Sequence, residues 1–201
     1  MRKAAADGFP LAGCVASDLR PEFWALGHAL FRSTPASFPV PFVAGDAFTD
    51  ALLPAAAPLA DAPEGPPPVL SELVAGGSLA PLYGRVAAVH ASSFFHLFDE
   101  AQQAALAARL APLLSPAPGS MLLGSHGGLP RKGFRQGARG RPMFCHDPDS
   151  WRALWEGVFG PGKVTVEAQI VERADAATLK ATREEGITEK WHLLVWSVTR
   201  L

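Results

Sequence analysis

Short apolar runs alternate along this chain with longer stretches in which apolar residues recur every three or four positions. Leu11 to Ser17 (LAGCVAS) is almost continuously apolar and ends at Asp18, the profile of a strand buried on both faces. Pro21 suits a first helical turn, and Phe23, Leu26, Gly27 and Leu30 follow at i, i+3, i+4, i+7. That spacing predicts an amphipathic helix over 21–32 with this stripe turned inward. Val40 to Ala44 is a second apolar run, closed by the acid Asp46. Residues 50–81 are Ala/Pro/Gly-rich and read as a surface loop, with a short helix at Leu70 to Val74. Arg85 to His90 (RVAAVH) predicts a third strand.

The second half carries clearer boundary signals. Asp99 can cap a helix, with Gln102 at the capping-box position and Leu106, Leu110 and Leu113 as its core stripe. Ser120 to Gly124 predicts a fourth strand, and the Gly- and Arg-rich stretch 126–142 a long loop. Asp147 followed by Pro148 starts another helix. Trp151, Leu154, Trp155 and Val158 form its apolar face, and Gly160 stops it. Val164 to Val171 alternates like a strand with one polar face, and Trp191 to Val198 (WHLLVWSV) is a last strand paired antiparallel to it. At the other end, Arg2 to Ala6 reads as the last turn of a helix stopped by Gly8. Strands alternate with helices up to residue 160, so the expected class is α/β with a mainly parallel sheet.

Composition narrows the function classes. The 201 residues suit one domain, and 48% hydrophobic content is enough for a core. Only 18% are charged and the net charge is -1, so nothing favours a nucleic-acid partner. Two cysteines, Cys14 and Cys145, exclude a disulfide scaffold. No apolar run approaches the ~20 residues of a membrane span, and MRKAAADG has no signal-peptide character. A cytoplasmic protein with a small-molecule partner, and neither nucleic-acid nor membrane partners, is the expectation. There is no GxSxG, P-loop or GxGxxG, and no histidine spacing suited to a metal.

In open parallel sheets ligands bind beyond the carboxyl ends of the strands. Three such ends carry distinctive residues. Asp18 can accept both ribose hydroxyls of an adenosine cofactor, or equally cap the next helix. Asp46 with Phe48 (GDAF) suits the amine and ring face of an adenine, or a plain turn. The segment after His90, ASSFFHLF, offers two serines, a histidine and three phenylalanines around a small aromatic substrate, unless its rings are core. His126 and His146 are further candidates, with turn or capping roles as the plainer reading. Arg131, Lys132, Arg135, Arg139 and Arg141 read as a solvated loop.

Taken in order, DLRPEFWALGHALFR (18–32), AGDAF (44–48), GRVAAVHASSFFHLFDEAQQAALAARLAPLLSPAPGSMLLGSHGG (84–128), MFCHDPDSWRALWEGV (143–158) and WSVTRL (196–201) resemble the fungal S-adenosylmethionine-dependent methyltransferases of secondary metabolism. That group includes polyketide and meroterpenoid O-methyltransferases. The resemblance implies a Rossmann-like class I sheet with the last strand antiparallel. It implies Asp18, Leu19 and Arg20 at the ribose of S-adenosylmethionine, Asp46 and Ala47 at its adenine, and His90, Ala91 and Ser92 along its methionine side. Phe95, His96, His126 and Phe144 would face a small carboxyl or hydroxyl acceptor, with His96 as base for a phenol. The family's first strand and Gly-rich loop precede the segments matched here. The chain is therefore expected to lack that strand, and either to be poorly soluble or to pair the edges of 11–17 and 85–90 with each other or with a second chain. A non-catalytic binding relative, or a fragment, is the alternative.

Overall fold

A computed structural model of the chain describes residues 1–137, 140–174, 184 and 190–201. Arg139 of the basic stretch, and most of the connection between the last two expected strands, lie outside the described residues. The chain groups into two compact units, Met1–Ala55 with Glu64–Tyr83, and Ala56–Pro63 with Gly84–Leu201.

The first unit contains α1 (Arg2–Ala6), β1 (Ala16–Asp18), α2 (Pro21–Leu30), β2 (Phe42–Ala44) and α3 (Leu70–Gly76). β1 and β2 pair in parallel, Ala16 opposite Phe42 and Asp18 opposite Ala44. The run 11–17 is not the doubly buried strand its apolarity suggested. Leu11–Gly13 is a 3₁₀ turn closed by the Cys14 N–H on the Leu11 carbonyl, and Ser17 and Asp18 are exposed. Pro10 and Gly13 break the run too early for a long strand.

α2 forms where expected but turns a different face inward. Phe23, Leu26 and Leu30 are 59%, 61% and 76% exposed. The inward residue is Trp24, whose ring stacks on Phe42 at 5.3 Å and meets His28 edge-on at 5.4 Å. One indole against a strand phenylalanine decides the helix orientation over the aliphatic stripe. The stretch 50–81 is more than a surface loop. It supplies buried Leu52, Leu53, Leu73 and Leu79 beside Phe38, Val40 and Val43. The Tyr83 hydroxyl ties it down by donating to the Pro54 carbonyl at 2.6 Å.

The second unit holds β3 (Ala88–His90), α4 (Glu100–Leu110), β4 (Met121–Gly127), β5 (Gly133–Gln136), β6 (Pro142–Cys145), α5 (Pro148–Phe159), β7 (Val164–Arg173) and β8 (Trp191–Arg200). Its main sheet runs β3-β4-β8-β7, with β3 parallel to β4 and β8 antiparallel to both neighbours. The closing strand is antiparallel, as the sequence pattern implied. β3 is an edge strand of this sheet, as β1 is of its pair.

Both helix caps follow the sequence. Asp99 accepts from the Gln102 N–H at 2.8 Å while the Gln102 side chain accepts from the Asp99 N–H at 3.2 Å. Asp147 accepts from the Ser150 N–H at 2.8 Å, with Pro148 opening α5. Leu106 and Leu110 of α4, Trp151 and Trp155 of α5, and Leu122, Leu194 and Val198 of the sheet are all buried. The stretch 126–142 is not simply a loop, because β5 and β6 form a hairpin in and beyond it, Phe134 opposite Phe144 and Arg135 opposite Met143. Its alternation was hidden by the flanking glycines and arginines. Among the described residues no helix is long and apolar enough to cross a membrane.

One glycine is dictated by close packing at the β3–β4 junction. A β-carbon on Gly124 would lie 2.3 Å from the Ala91 carbonyl oxygen and 3.0 Å from the Trp196 ring. Backbone cannot yield there, so Gly124→Ala should destabilise the protein by about 1–3 kcal/mol. Gly133→Ala, with nothing within 4 Å of the added carbon, should cost far less. Urea midpoints of the two variants check this; equal midpoints would refute it.

Candidate functional site

The chemistry-bearing residues fall into one group in each unit. In the first, Asp18 closes β1, and its carbonyl accepts from the Gly45 N–H at 3.1 Å, which ties the ends of β1 and β2 together. One carboxylate oxygen of Asp18 accepts from the Arg20 N–H at 2.8 Å. Asp18 is not the cap of α2, since Arg20 holds that position and the helix has no side-chain cap. Arg20 itself is paired with Glu22, and Leu19 is 60% exposed. Two residues beyond β2, Asp46 accepts from the Phe48 N–H at 2.9 Å, with half-buried Ala47 inside that turn. Parallel pairing thus sets Asp18, Leu19, Arg20, Asp46 and Ala47 at the carboxyl ends of adjacent strands. Each turn engages one carboxylate oxygen with a backbone N–H.

In the second unit the ends of β3 and β4 are laced together. Ala91 donates its N–H to the Leu123 carbonyl at 2.9 Å. Ser93, with φ of 53°, donates to the Ser125 carbonyl at 2.7 Å. The Ser92 hydroxyl oxygen accepts from the Ser125 N–H at 3.1 Å and shares a 2.9 Å hydrogen bond with His90 Nε2. Partial burial lowers the pKa of His90.

Beyond this junction lie the imidazoles. His96 sits in a 3₁₀ turn (Phe95–Leu97), and its Nδ1 accepts from the Gly127 backbone N–H at 2.8 Å. A backbone amide can only donate, so the neutral ring carries its proton on Nε2. Burial lowers its pKa and keeps it neutral. His96 is therefore arranged as a hydrogen-bond donor and not as the base expected from the sequence. His126 has the same polarity. Its Nδ1 accepts from the Trp196 indole N–H at 3.0 Å, and its buried Nε2 has no partner. Burial, with a smaller contribution from His96 and then His146, lowers its pKa to about 3.

Two residues expected at an acceptor are core instead. Phe95 is fully buried, with its ring centroid 4.9 Å from Trp151 and 5.9 Å from Trp196. His126 is fully buried too, 4.7 Å from the Trp151 ring. Both pack the aromatic cluster that supports the site. Phe144 is buried at 4% exposure, against Phe134 and His146. Its carbonyl accepts from the fully buried Gln103 side chain at 3.1 Å, a contact no sequence pattern marked. His146 shares a 2.9 Å hydrogen bond with the Ser150 hydroxyl inside the α5 capping box, and burial takes its pKa to about 4. It also lines a groove of about 460 Å³ with Ala104, Leu154 and Val158, beside the Lys132–Glu100 ion pair.

No protein-family model matches the chain. Among curated proteins it is similar to the O-methyltransferase phiE of a fungal species, 37% identical over 97 residues, 46% of this chain and 31% of phiE. It is similar to the methyltransferase adrK of Penicillium rubens, 29% identical over 181 residues, 90% of this chain and 56% of adrK. The asnovolin E/chermesin D methyltransferase nvfJ of Aspergillus novofumigatus is 30% identical over 159 residues, 79% of this chain and 48% of nvfJ. The chain spans about half the length of the adrK and nvfJ relatives and less of phiE. Among solved structures it resembles Burkholderia thailandensis 1,6-didemethyltoxoflavin-N1-methyltransferase, with a TM-score of 0.53 and 16% identity over 92% of this chain and 60% of that one. An S-adenosylmethionine-dependent methyltransferase from Mesorhizobium loti gives a TM-score of 0.52 and 16% identity over 99% of this chain and 84% of that one. The fold is that of the S-adenosylmethionine-dependent methyltransferases, and the chain is a sequence relative of fungal methyltransferases of secondary metabolism.

The buried histidines predict acid sensitivity. Folded-state values of about 3 for His126 and about 4 for His146 lie below the unfolded value near 6.5, so the unfolded chain binds more protons. Their stability contribution is complete above pH 6.5 and is lost as pH falls from there toward 4. The two together should impose a slope approaching ~2.7 kcal/mol per pH unit in that window. Urea unfolding at pH 7 and pH 5 measures it. His126→Gln should remove about half of the slope, and an unchanged slope in that variant would contradict this assignment.

Proposed function

We propose that this chain binds S-adenosylmethionine and directs its methyl group to an oxygen of a small aromatic or polyketide-type acceptor. The observation that carries the reading is the placement of Asp18 and Asp46 at the carboxyl ends of two adjacent parallel strands, each with one carboxylate oxygen outside its own turn. Those acceptors fit an adenosine moiety: Asp18 with Leu19 and Arg20 for the ribose hydroxyls, Asp46 with Ala47 for the adenine amine. The sequence relatives, all named as methyltransferases, support the same reaction class. By the family pattern His90, Ala91 and Ser92 serve the methionine side.

S-adenosylmethionine, when bound, supplies a methyl activated by a sulfonium. The protein's task is then to hold an acceptor oxygen in line, exclude water and manage one proton. His96 offers a donor at Nε2, with Nδ1 occupied by the Gly127 N–H. A donor stabilises an oxygen that arrives already ionised, and it does not take a proton from a phenol. Of the carboxyl and hydroxyl acceptors the family uses, this polarity favours the carboxylate, which needs no base.

Calorimetry with S-adenosylhomocysteine tests the cofactor assignment. Micromolar binding is expected, and Asp18→Ala should weaken it by about 1–3 kcal/mol, the cost of leaving ribose hydroxyls unmet. Absence of binding by natively folded protein, or equal affinity in the Ala variant, would defeat it.

A further inference from the structure

Among the described residues Arg135 is the one Lys, Arg, Asp or Glu side chain that is buried, at 4% exposure. The sequence reading put it in a solvated loop; the β5–β6 hairpin carries it inside instead. A buried guanidinium without a counter-charge is costly, and ordinary folds supply a carboxylate. Among the described residues none is supplied. Nη1 donates to the Lys190 carbonyl at 3.2 Å, and the guanidinium lies 4.3 Å over the Trp191 ring. Nε and Nη2 are buried without any partner. The nearby ionisable Cys145 provides no charge, because burial pushes its thiol up to about 11 against the opposing pull of Arg135.

The two idle donors are not an arbitrary pair. Nε–H and the adjacent Nη2–H project from one edge of the guanidinium, spaced to meet the two oxygens of a carboxylate. The Trp191 ring and the Lys190 carbonyl hold the plane of that fork. Its position also connects to the imidazoles. Arg135 is paired across the hairpin with Met143, whose Cε lies 3.1 Å from the point where a β-carbon on Gly127 would stand. His96 Nδ1 is 3.6 Å from the same point. Met143, the cross-strand partner of Arg135, and the donor His96 thus approach one short stretch at the carboxyl end of β4.

We propose that Arg135 is the anion-holding residue of the acceptor site, its Nε–Nη2 edge taking the carboxylate of a small organic acid against the Trp191 and Met143 walls. The proposal deepens the methyltransferase reading by naming the feature its acceptor must carry, and it concerns binding and not the transfer step.

The test uses the full chain and two probes of one shape, benzoate and neutral benzamide. Equilibrium dialysis with radiolabelled benzoate, and displacement by unlabelled benzamide, gives both affinities. Benzoate should bind saturably and at least about tenfold more tightly than benzamide, the margin of a charge-assisted fork. Arg135→Gln should weaken benzoate about ten- to a hundredfold and leave benzamide and S-adenosylhomocysteine unchanged. Arg135→Lys should recover only part, because an ammonium cannot present a fork. If Arg135→Gln does not fold, the wild-type probe pair and the Lys variant carry the decision. Failure of wild type to bind benzoate, equal affinity for the two probes, or full benzoate affinity in a folded Gln variant overturns the proposal. Benzoate discrimination without S-adenosylhomocysteine binding upholds Arg135 and sinks the methyl-transfer reading. The reverse result sinks Arg135 alone.

Discussion

Across the β4–β8 ladder the Trp196 indole N–H donates to Nδ1 of His126, and the packing of the second unit is arranged around that bond. It joins two side chains that are both nearly or fully buried. Trp151 meets His126 edge-on and Phe95 meets Trp196 edge-on, which suits the quadrupoles of the rings, while Trp151 lies tilted against Trp196. The bond fixes which nitrogen of His126 is bare, and so leaves an orphan N–H at Nε2 in the core. An unmet donor of that kind costs about 1–3 kcal/mol, which the surrounding aromatic burial must outweigh. Charging the ring would cost more still, which is why this imidazole stays neutral.

The same ladder explains the sheet's tight places. Gly124 stands opposite Trp196, and Gly127 opposite Leu193. With no side chain at 124, the Ala91 carbonyl of the neighbouring parallel strand can close up on β4. With none at 127, Met143 from the hairpin and His96 from the 3₁₀ turn both reach the backbone, and the Gly127 N–H can donate to His96. Glycines spent along one strand thus position groups from three other segments. Fold and site share these residues, so a substitution that relieves one stresses the other.

How far the sequence showed this depends on the range of each cause. The capping box at Asp99 and the cap at Asp147 were legible because cap, partner and helix lie within four residues, whereas the Ser150 half of the second box was not read. The alternation of 164–171 was legible because one face of β7 meets the sheet's core and the other meets water. The paired acids Asp18 and Asp46 were legible as strand ends, though not their shared turn geometry. The inward face of α2 was not legible. Its spacing favoured Phe23, Leu26 and Leu30, while the choice was made by Phe42, outside the helix. Arg135 was the least legible of all. Its burial depends on pairing with Met143 and on Trp191, more than fifty residues away in sequence.

These long-range placements combine into one electrostatic character for the second unit. His96 and His126 both have Nδ1 occupied by an N–H donor, so both turn a protonated Nε2 outward from that bond. Arg135 adds a fixed positive charge with two idle N–H groups. Among the described residues no buried carboxylate balances them. His126 spends its donor inside the aromatic core, whereas in a low-dielectric interior the idle Arg135 donors are strained when alone and relieved by an anion. A neutral phenol would relieve little, since it brings a donor of its own into a region that already lacks acceptors. A carboxylate brings two oxygens and a charge, and leaves no proton to be removed before an oxygen can act as nucleophile.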